Sequence, residues 1–279
     1  MNIDQGWADA IYDYMSAQIA AGYPATTQYT RRQHLEHLAR RIGVPPWEVT
    51  SDQLIEFAAD QEWKPETRRS RRTTFQSFWS WAMLTGRTSS NPAIALTRVK
   101  LPRPAPRPVP ERIYLQAYAK ATDLERVWMQ LAYDHGLRRG EIAQVHARDV
   151  LESWATDEAG NRIRAYSLVV HGKGAVERTV PLVPRTALGV LDHAQGGWLT
   201  PGDHDGHVSA RWLGKRVNRL LPDGWTIHTL RHGAGTKFNL HGGLLVAQRM
   251  LGHASVATTQ VYCAMPDESL RDTVYATAA

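Results

Sequence analysis

The chain has 279 residues, enough for two domains, and hydrophobic residues make up 43% of it, enough for packed cores. Its formal net charge is +6, and the basic excess lies mainly in the first 110 residues, which favours a polyanionic partner. The single cysteine, Cys263, excludes an internal disulfide and fits a reducing cytoplasm. No apolar run approaches the ~20 residues of a membrane span. The first residues lack the features of a signal peptide, so we expect a cytoplasmic protein without a membrane partner.

The first 97 residues predict a helical domain. An apolar residue recurs every four positions from Trp7 to Ile19, which indicates one face of a first helix. Thr50, with a glutamine three positions later, has the spacing of a capping box. An aromatic stripe from Phe75 to Met83 has helical spacing as well. We therefore expect about four helices between residues 5 and 95.

A cluster of arginines precedes the aromatic stripe on the same predicted helix. Its members are Arg68, Arg69, Arg71 and Arg72, of which the first, third and fourth share one face. A charge run is usually a solvated face, but the start of a well-anchored helix also suits contact with a DNA groove. We predict that these arginines bind DNA.

Residues 98–110 predict a linker. Five prolines alternate with other residues from Pro102 to Pro110, a pattern incompatible with a helix or a central strand. Such a run forms an extended, semi-rigid connection. Arg103 and Arg107 make it basic, and we predict that they also bind DNA. The predicted domains are thus 1–97, a helical DNA-binding domain, and 111–279.

The second domain combines helices with a small sheet. Residues 111–146 have mostly helical spacing, broken at Gly136. In the stretch "RAYSLVVHGKGAVERTVPL", side chains alternate in character on both sides of a "GKG" turn, which predicts a β-hairpin. A short strand near 148–154 would complete a three-stranded antiparallel sheet. Helices follow to the end. The predicted fold class is therefore mainly α with a small antiparallel β-sheet (α+β).

Several residues of this domain are suited to phosphate chemistry, although each is unremarkable alone. Arg138 and Glu141 have the spacing of an ion pair worth tenths of a kcal/mol. Lys173 lies between two glycines at the predicted hairpin tip, where a lysine is usually only solvated. His228 and Arg231 share a helical face; we reject zinc there because no third ligand is near in sequence and an arginine repels a metal.

Near the end of the chain, His253 precedes Tyr262 by nine residues. Taken in order, these residues resemble the tyrosine recombinase (phage integrase) family. The resemblance rests on "GLRRGE", "VVHGKGAVERTVPL", "HTLRH" and "LGHASVATTQVY", and on "TRRSRRTTFQSFWSWAMLTGRTSSNP", which is similar to the end of that family's core-binding domain. It covers nearly the whole chain, and it implies a SAM-like core-binding domain followed by a tyrosine recombinase catalytic domain with a C-terminal tail.

The resemblance implies a role for each matched residue. Two arginines clamp the scissile phosphate, a lysine protonates the leaving 5′ oxygen, two histidines contact the phosphate, a glutamate supports the first arginine, and a tyrosine attacks. The two arginines are Arg138 and Arg231, and the lysine is Lys173. The two histidines are His228 and His253. The glutamate is Glu141, and the attacking tyrosine is Tyr262. The implied reaction is site-specific recombination through a 3′-phosphotyrosine and a Holliday junction, with no metal and no other cofactor.

The resemblance also implies partners. We expect double-stranded DNA core sites, paired by a homotetramer in the host cytoplasm or nucleoid, and it allows an accessory protein that sets direction. Since the first predicted helix begins close to Met1, we expect a minimal two-domain form without an arm-binding domain. Two alternatives are a type IB topoisomerase activity, which uses a similar catalytic set without pairing sites, and a non-catalytic DNA-binding protein.

Two departures from the family pattern stand out. Gly233 and Gly235 stand where the family usually has bulkier residues. We expect their helix to make a thinner packing contact at these positions, without loss of the chemistry. His253 stands where some members have tryptophan, which suits a hydrogen-bond donor to phosphate.

Overall fold

A computed structural model describes residues 3–100, 107–156, 159–172 and 177–252 of the chain. The chain divides into two compact units, Met1–Arg103 and Pro104–Ala279, so the division falls inside the proline-rich segment. Within the described ranges, no helix combines the length and the apolar character needed to cross a membrane.

The first unit is helical. Its helices are α1 (Gln5–Ala20), α2 (Ala25–Ile42), α3 (Ser51–Ala59) and α4 (Pro65–Leu84), followed by a 3-10 turn at Pro92–Ala95. The start of α3 has the predicted capping box: the Thr50 hydroxyl accepts from the Gln53 amide, while the Gln53 side chain accepts from the Thr50 amide. Each of these bonds satisfies an amide that has no partner inside the helix.

Aromatic rings form the core of the first unit. Phe78 of α4 lies at the centre, with the rings of Trp7, Trp47 and Trp79 within 5.8 Å of it, centroid to centroid. The predicted apolar faces are right at most positions but wrong at Ile19 and Met83, which are exposed. The buried face of α1 includes Tyr14 and Gln18 instead. A helix has 3.6 residues per turn, so residues spaced strictly four apart rotate gradually away from the core.

The second unit surrounds a small sheet with helices. Its helices are α5 (Glu111–Lys120), α6 (Asp123–Tyr133), α7 (Arg139–Ala143), α8 (Pro184–Ala194), α9 (Ala210–Asn218) and α10 (Ile227–Leu251). Its strands are β1 (Val150–Thr156), β2 (Arg162–His171), β3 (Glu177–Leu182) and the short β4 (Pro201–His204). The strand β4 was not predicted from the sequence.

The sheet has the order β1-β2-β3, and both pairs are antiparallel. The described ladder between β2 and β3 runs from Tyr166–Leu182 to His171–Glu177, so the segment that carries Lys173 connects their last pair. The predicted fold class, mainly α with a small antiparallel sheet, is confirmed.

The helix α10 packs mainly against α6, and its backbone is kinked at Gly243, where φ is +77°. The ring of Tyr133 approaches Gly233 so closely that an added Cβ would lie 2.8 Å from a ring carbon. We expected this glycine to thin the helix contact, and that expectation was wrong. The glycine allows the helix backbone to approach the Tyr133 ring closely. Val109, near the end of the predicted linker, is buried beside α10, and its amide donates to the Thr229 carbonyl. The last linker residues thus pack as part of the second unit.

Candidate active site

The arginines of the first unit make different contacts. The guanidinium of Arg68 donates to the carbonyls of Ala58, Gln61 and Trp63 and so closes the connection between α3 and α4. Arg72 donates to the Leu96 carbonyl. These two side chains therefore hold the unit together, whatever else they contact.

The other two arginines of this cluster differ from them. The Arg71 guanidinium lies over the ring of Trp63, 4.3 Å from its centroid, and Arg69 is exposed. Of the predicted linker arginines, Arg107 is exposed and stacks on Trp225 at 4.9 Å, while Arg103 lies outside the described residues. Among the described candidates, Arg69 is thus the best placed to meet a phosphate without loss of a structural contact.

In the second unit, the site begins at the turn between α6 and α7. Gly136 has φ +70°, a conformation that glycine adopts without strain, and an added Cβ would lie 2.8 Å from a methyl group of Leu251. The turn ends at Arg138, which precedes α7. The Glu141 carboxylate accepts from the Arg138 amide and from its guanidinium, both at 2.7 Å. The predicted ion pair is present, and it leaves the Arg138 side chain 42% exposed.

Arg231, from the first turns of α10, is completely buried. Its guanidinium donates to the Gly136 carbonyl and, at 2.7 Å, to the Leu251 carbonyl, and it lies 3.6 Å from Glu141. The side chain therefore ties the α6–α7 turn to both ends of α10. A charge so deeply buried persists only where such partners offset its loss of water.

A third arginine shares the same carboxylate. Arg178 of β3 forms a two-bond pair with Glu141, at 2.9 and 2.8 Å. Burial opposes ionisation of Glu141, but the hydrogen bonds and charge of Arg178, together with the Arg138 amide and the Arg231 charge, outweigh it and lower the pKa of Glu141 to about 2. Three arginines around one carboxylate leave an excess of positive charge.

This shift predicts an acid-sensitive fold. Because the pKa of Glu141 is lower in the folded protein than its usual value, its stabilisation is complete above about pH 4.5 and disappears as the pH falls toward 2. Between pH 5 and pH 2, the wild-type free energy of unfolding should fall by on the order of 3 kcal/mol more than that of Glu141→Gln. Urea denaturation at each pH measures this. Glu152→Gln, in an exposed pair with Arg164, should follow the wild type; parallel profiles for all three proteins would refute the assignment.

Arg138, Glu141 and Arg231 border an open cavity of about 700 Å³, and His228 lines it with them. Burial, then the charges of Arg231, Arg138 and Arg139, lower the pKa of His228. A lowered pKa favours the neutral imidazole, in which one ring nitrogen is a donor and the other an acceptor. The cavity combines cationic forks with a neutral imidazole, a suitable environment for a phosphodiester.

Sequence reasoning missed a second histidine of this cavity, His171, the last residue of β2. Its two ring nitrogens lie 3.1 Å from Asp149 and 3.0 Å from Glu177. The hydrogen bond to Asp149, ahead of the other contacts, raises the pKa of His171. The only sequence signal was its position two residues before Lys173. Lys173, His253 and Tyr262 themselves lie outside the described residues, so their roles remain predictions.

The comparison with known proteins agrees with this geometry. The sequence profile of the phage integrase family matches residues 111–268, more than half of the chain. The chain belongs to the phage integrase family. It is 28% identical to the tyrosine recombinase XerD of Caulobacter vibrioides, over 97% of this chain and 95% of the relative. It is 26% identical to the tyrosine recombinase XerC of Vibrio parahaemolyticus, over 91% of this chain and 86% of the relative.

Solved structures of this family share the fold. A lambda integrase fragment, residues 75–356, solved as a dimer on a COC′ core site, superposes with a TM-score of 0.74 at 18% identity, over 94% of this chain and 95% of that one. A lambda integrase tetramer bound to a Holliday junction superposes with a TM-score of 0.72 at 17% identity, over 94% of this chain and 78% of that one. The predicted family and enzyme class are confirmed: the protein is a site-specific tyrosine recombinase that breaks and rejoins DNA.

Proposed function

We propose that this integrase-family protein cleaves duplex DNA at short core sites through a covalent bond from Tyr262 to the 3′ phosphate. The observation that carries the proposal is the convergence of Arg138, Arg231 and His228 on one cavity. A phosphodiester repels nucleophiles because of its charge, and two planar guanidinium groups can offset that charge as it grows in the transition state.

Each bond and proton in the step has an assigned residue. The Tyr262 oxygen forms a bond to phosphorus while the bond to the 5′ oxygen breaks, and Lys173 gives that oxygen a proton. The neutral ring of His228 is the candidate to take the phenol proton, and His253 donates a hydrogen bond to the phosphate. The phosphotyrosine keeps the energy of the broken bond, so reversal of the step rejoins DNA without ATP or a metal.

The roles of the arginines follow from their contacts. Arg138 is partly exposed and held by Glu141, so it presents its fork to the cavity without free rotation. Arg231 is fixed by carbonyls from two elements and supplies charge from beneath the cavity. Such fixed donors stabilise a transition state without the cost of reorganisation.

The proposal extends to the assembly. Two core sites, each bound by two protomers, would exchange strands in two steps through a Holliday junction, and an accessory protein would set direction. The solved lambda integrase structures on a core site and on a Holliday junction support the paired sites and the junction of this proposal. Such a protein acts in the host cytoplasm or nucleoid. The domains would be a DNA-binding domain, 1–97, a linker, 98–110, and a catalytic domain, 111–279.

One experiment tests the function and its main alternative. A binding site is first selected from a pool of random duplexes, and supercoiled plasmids are then built with no site, one site or two. A recombinase resolves or inverts only the plasmid with two sites. A type IB topoisomerase relaxes all three without recombinant products, and a protein without catalytic activity changes none; either result would refute the proposal.

The N-terminal arginines offer a paired prediction. Arg69→Ala should weaken DNA binding and reduce the slope of log affinity against log salt by about one unit, because one phosphate contact is lost. Its unfolding should not change, since Arg69 is exposed. Arg68→Ala should instead reduce the stability of the protein, because three carbonyls lose their donor, and should leave the salt slope unchanged. An unchanged salt slope in Arg69→Ala would mean that this residue is only solvated.

A further inference from the structure

The side chain of Arg178 is fully occupied by contacts with two other elements. Its Nη1 and Nη2 atoms donate to the two oxygens of Glu141, and its Nε donates to the Met250 carbonyl at 3.1 Å. The side chain is only 13% exposed. One guanidinium thereby connects β3, α7 and the C-terminal end of α10.

The chain around this arginine leaves little freedom. Gly252, which follows α10, has φ +63°, and an added Cβ would lie 2.8 Å from the Arg178 Cδ. Only glycine satisfies both the backbone conformation and the close approach. Gly252 thus ends α10 in the left-handed conformation and lies directly against the Arg178 side chain.

The Glu141 carboxylate is the other end of this connection. It also receives the Arg138 amide and guanidinium, and Arg231 lies 3.6 Å away. Without Arg178, the carboxylate would turn toward these two arginines and neutralise more of their charge. With Arg178 in place, two of its hydrogen-bonding sites are already occupied.

We infer that Arg178 is a positioning residue for DNA cleavage: it fixes Glu141, and through it the forks of Arg138 and Arg231, while it anchors the end of α10. This inference rests on the proposed function. Arg178 touches none of the reacting atoms in it. It acts by keeping positive charge directed at the phosphate, and by joining strand β3, which follows the Lys173 segment, to the helix that precedes His253.

The test compares two scissile groups in the selected duplex. One duplex has the normal phosphate, and the other has an uncharged methylphosphonate at the same position. Arg178→Met should slow single-turnover cleavage of the phosphate by about 100-fold, since a small misplacement of catalytic groups has that effect. On the methylphosphonate, which has less charge to offset, the loss should be about 10-fold or less. Arg178→Lys keeps the charge without the fork and should lie between wild type and Arg178→Met on the phosphate.

The controls separate positioning from folding. Arg164→Met changes an exposed arginine of the same sheet and should cleave both duplexes like the wild type. An equal loss on both duplexes would mean that Arg178 only supports the fold, and a wild-type rate would mean that it has no role; either result overturns the inference. If Arg178→Met does not fold, Arg178→Lys carries the same comparison. Absence of any covalent adduct with the wild-type protein would instead refute the proposed function, and the inference with it.

Discussion

Tyr262→Phe should bind the selected duplex like the wild type and form no covalent adduct at all. The change removes one oxygen, the atom that attacks phosphorus, and leaves the ring. Neither arginine can replace it, because a guanidinium is protonated at every accessible pH and is not a nucleophile. Denaturing electrophoresis of the protein with labelled duplex measures the adduct, and retardation on a native gel measures binding.

The matched control is Tyr275→Phe, which makes the same change thirteen residues further along the chain. It should form adduct at the wild-type rate. An adduct that survives denaturation in Tyr262→Phe would show that another residue attacks, and loss of adduct in both variants would show that tyrosines outside the site matter for folding or assembly.

The parts of the fold that the sequence predicted are those with local causes. The capping box at Thr50 and the alternation in β2 and β3 depend on neighbours in sequence, so their patterns are visible there. The ion pair of Arg138 with Glu141 was predicted for the same reason, since its partners are one turn apart. The family resemblance supplied what spacing could not, namely which of these ordinary pairs belong together.

The parts that were missed depend on contacts between distant segments. Arg178 lies 37 positions from Glu141 and 72 from Met250, and no local pattern marks such a partner. Arg68 had the appearance of a surface charge because its acceptors are backbone carbonyls, which have no residue signature. His171 was passed over because its importance comes from Asp149, brought close by the sheet.

Lys173→Ala should bind DNA nearly normally but cleave it more slowly by ~10²–10⁴, the usual contribution of a general acid. The leaving 5′ oxygen is strongly basic and departs poorly without a proton. The flanking glycines, Gly172 and Gly174, allow a close approach of this segment to DNA. Lys120→Ala, at the exposed end of α5, is the control and should cleave at the wild-type rate.

Replacement of the bridging 5′ oxygen by sulfur decides between a proton donor and a phosphate contact. A thiolate leaves without protonation, because the pKa of a thiol is only ~8.5. Lys173→Ala should therefore cleave the sulfur duplex at close to the wild-type rate, whereas Tyr262→Phe should remain inactive on it, since the attacking atom is still absent. If sulfur does not rescue Lys173→Ala, the lysine stabilises phosphate charge instead, and the proton must come from another group of the site, with His253 the next candidate to test by the same substitution.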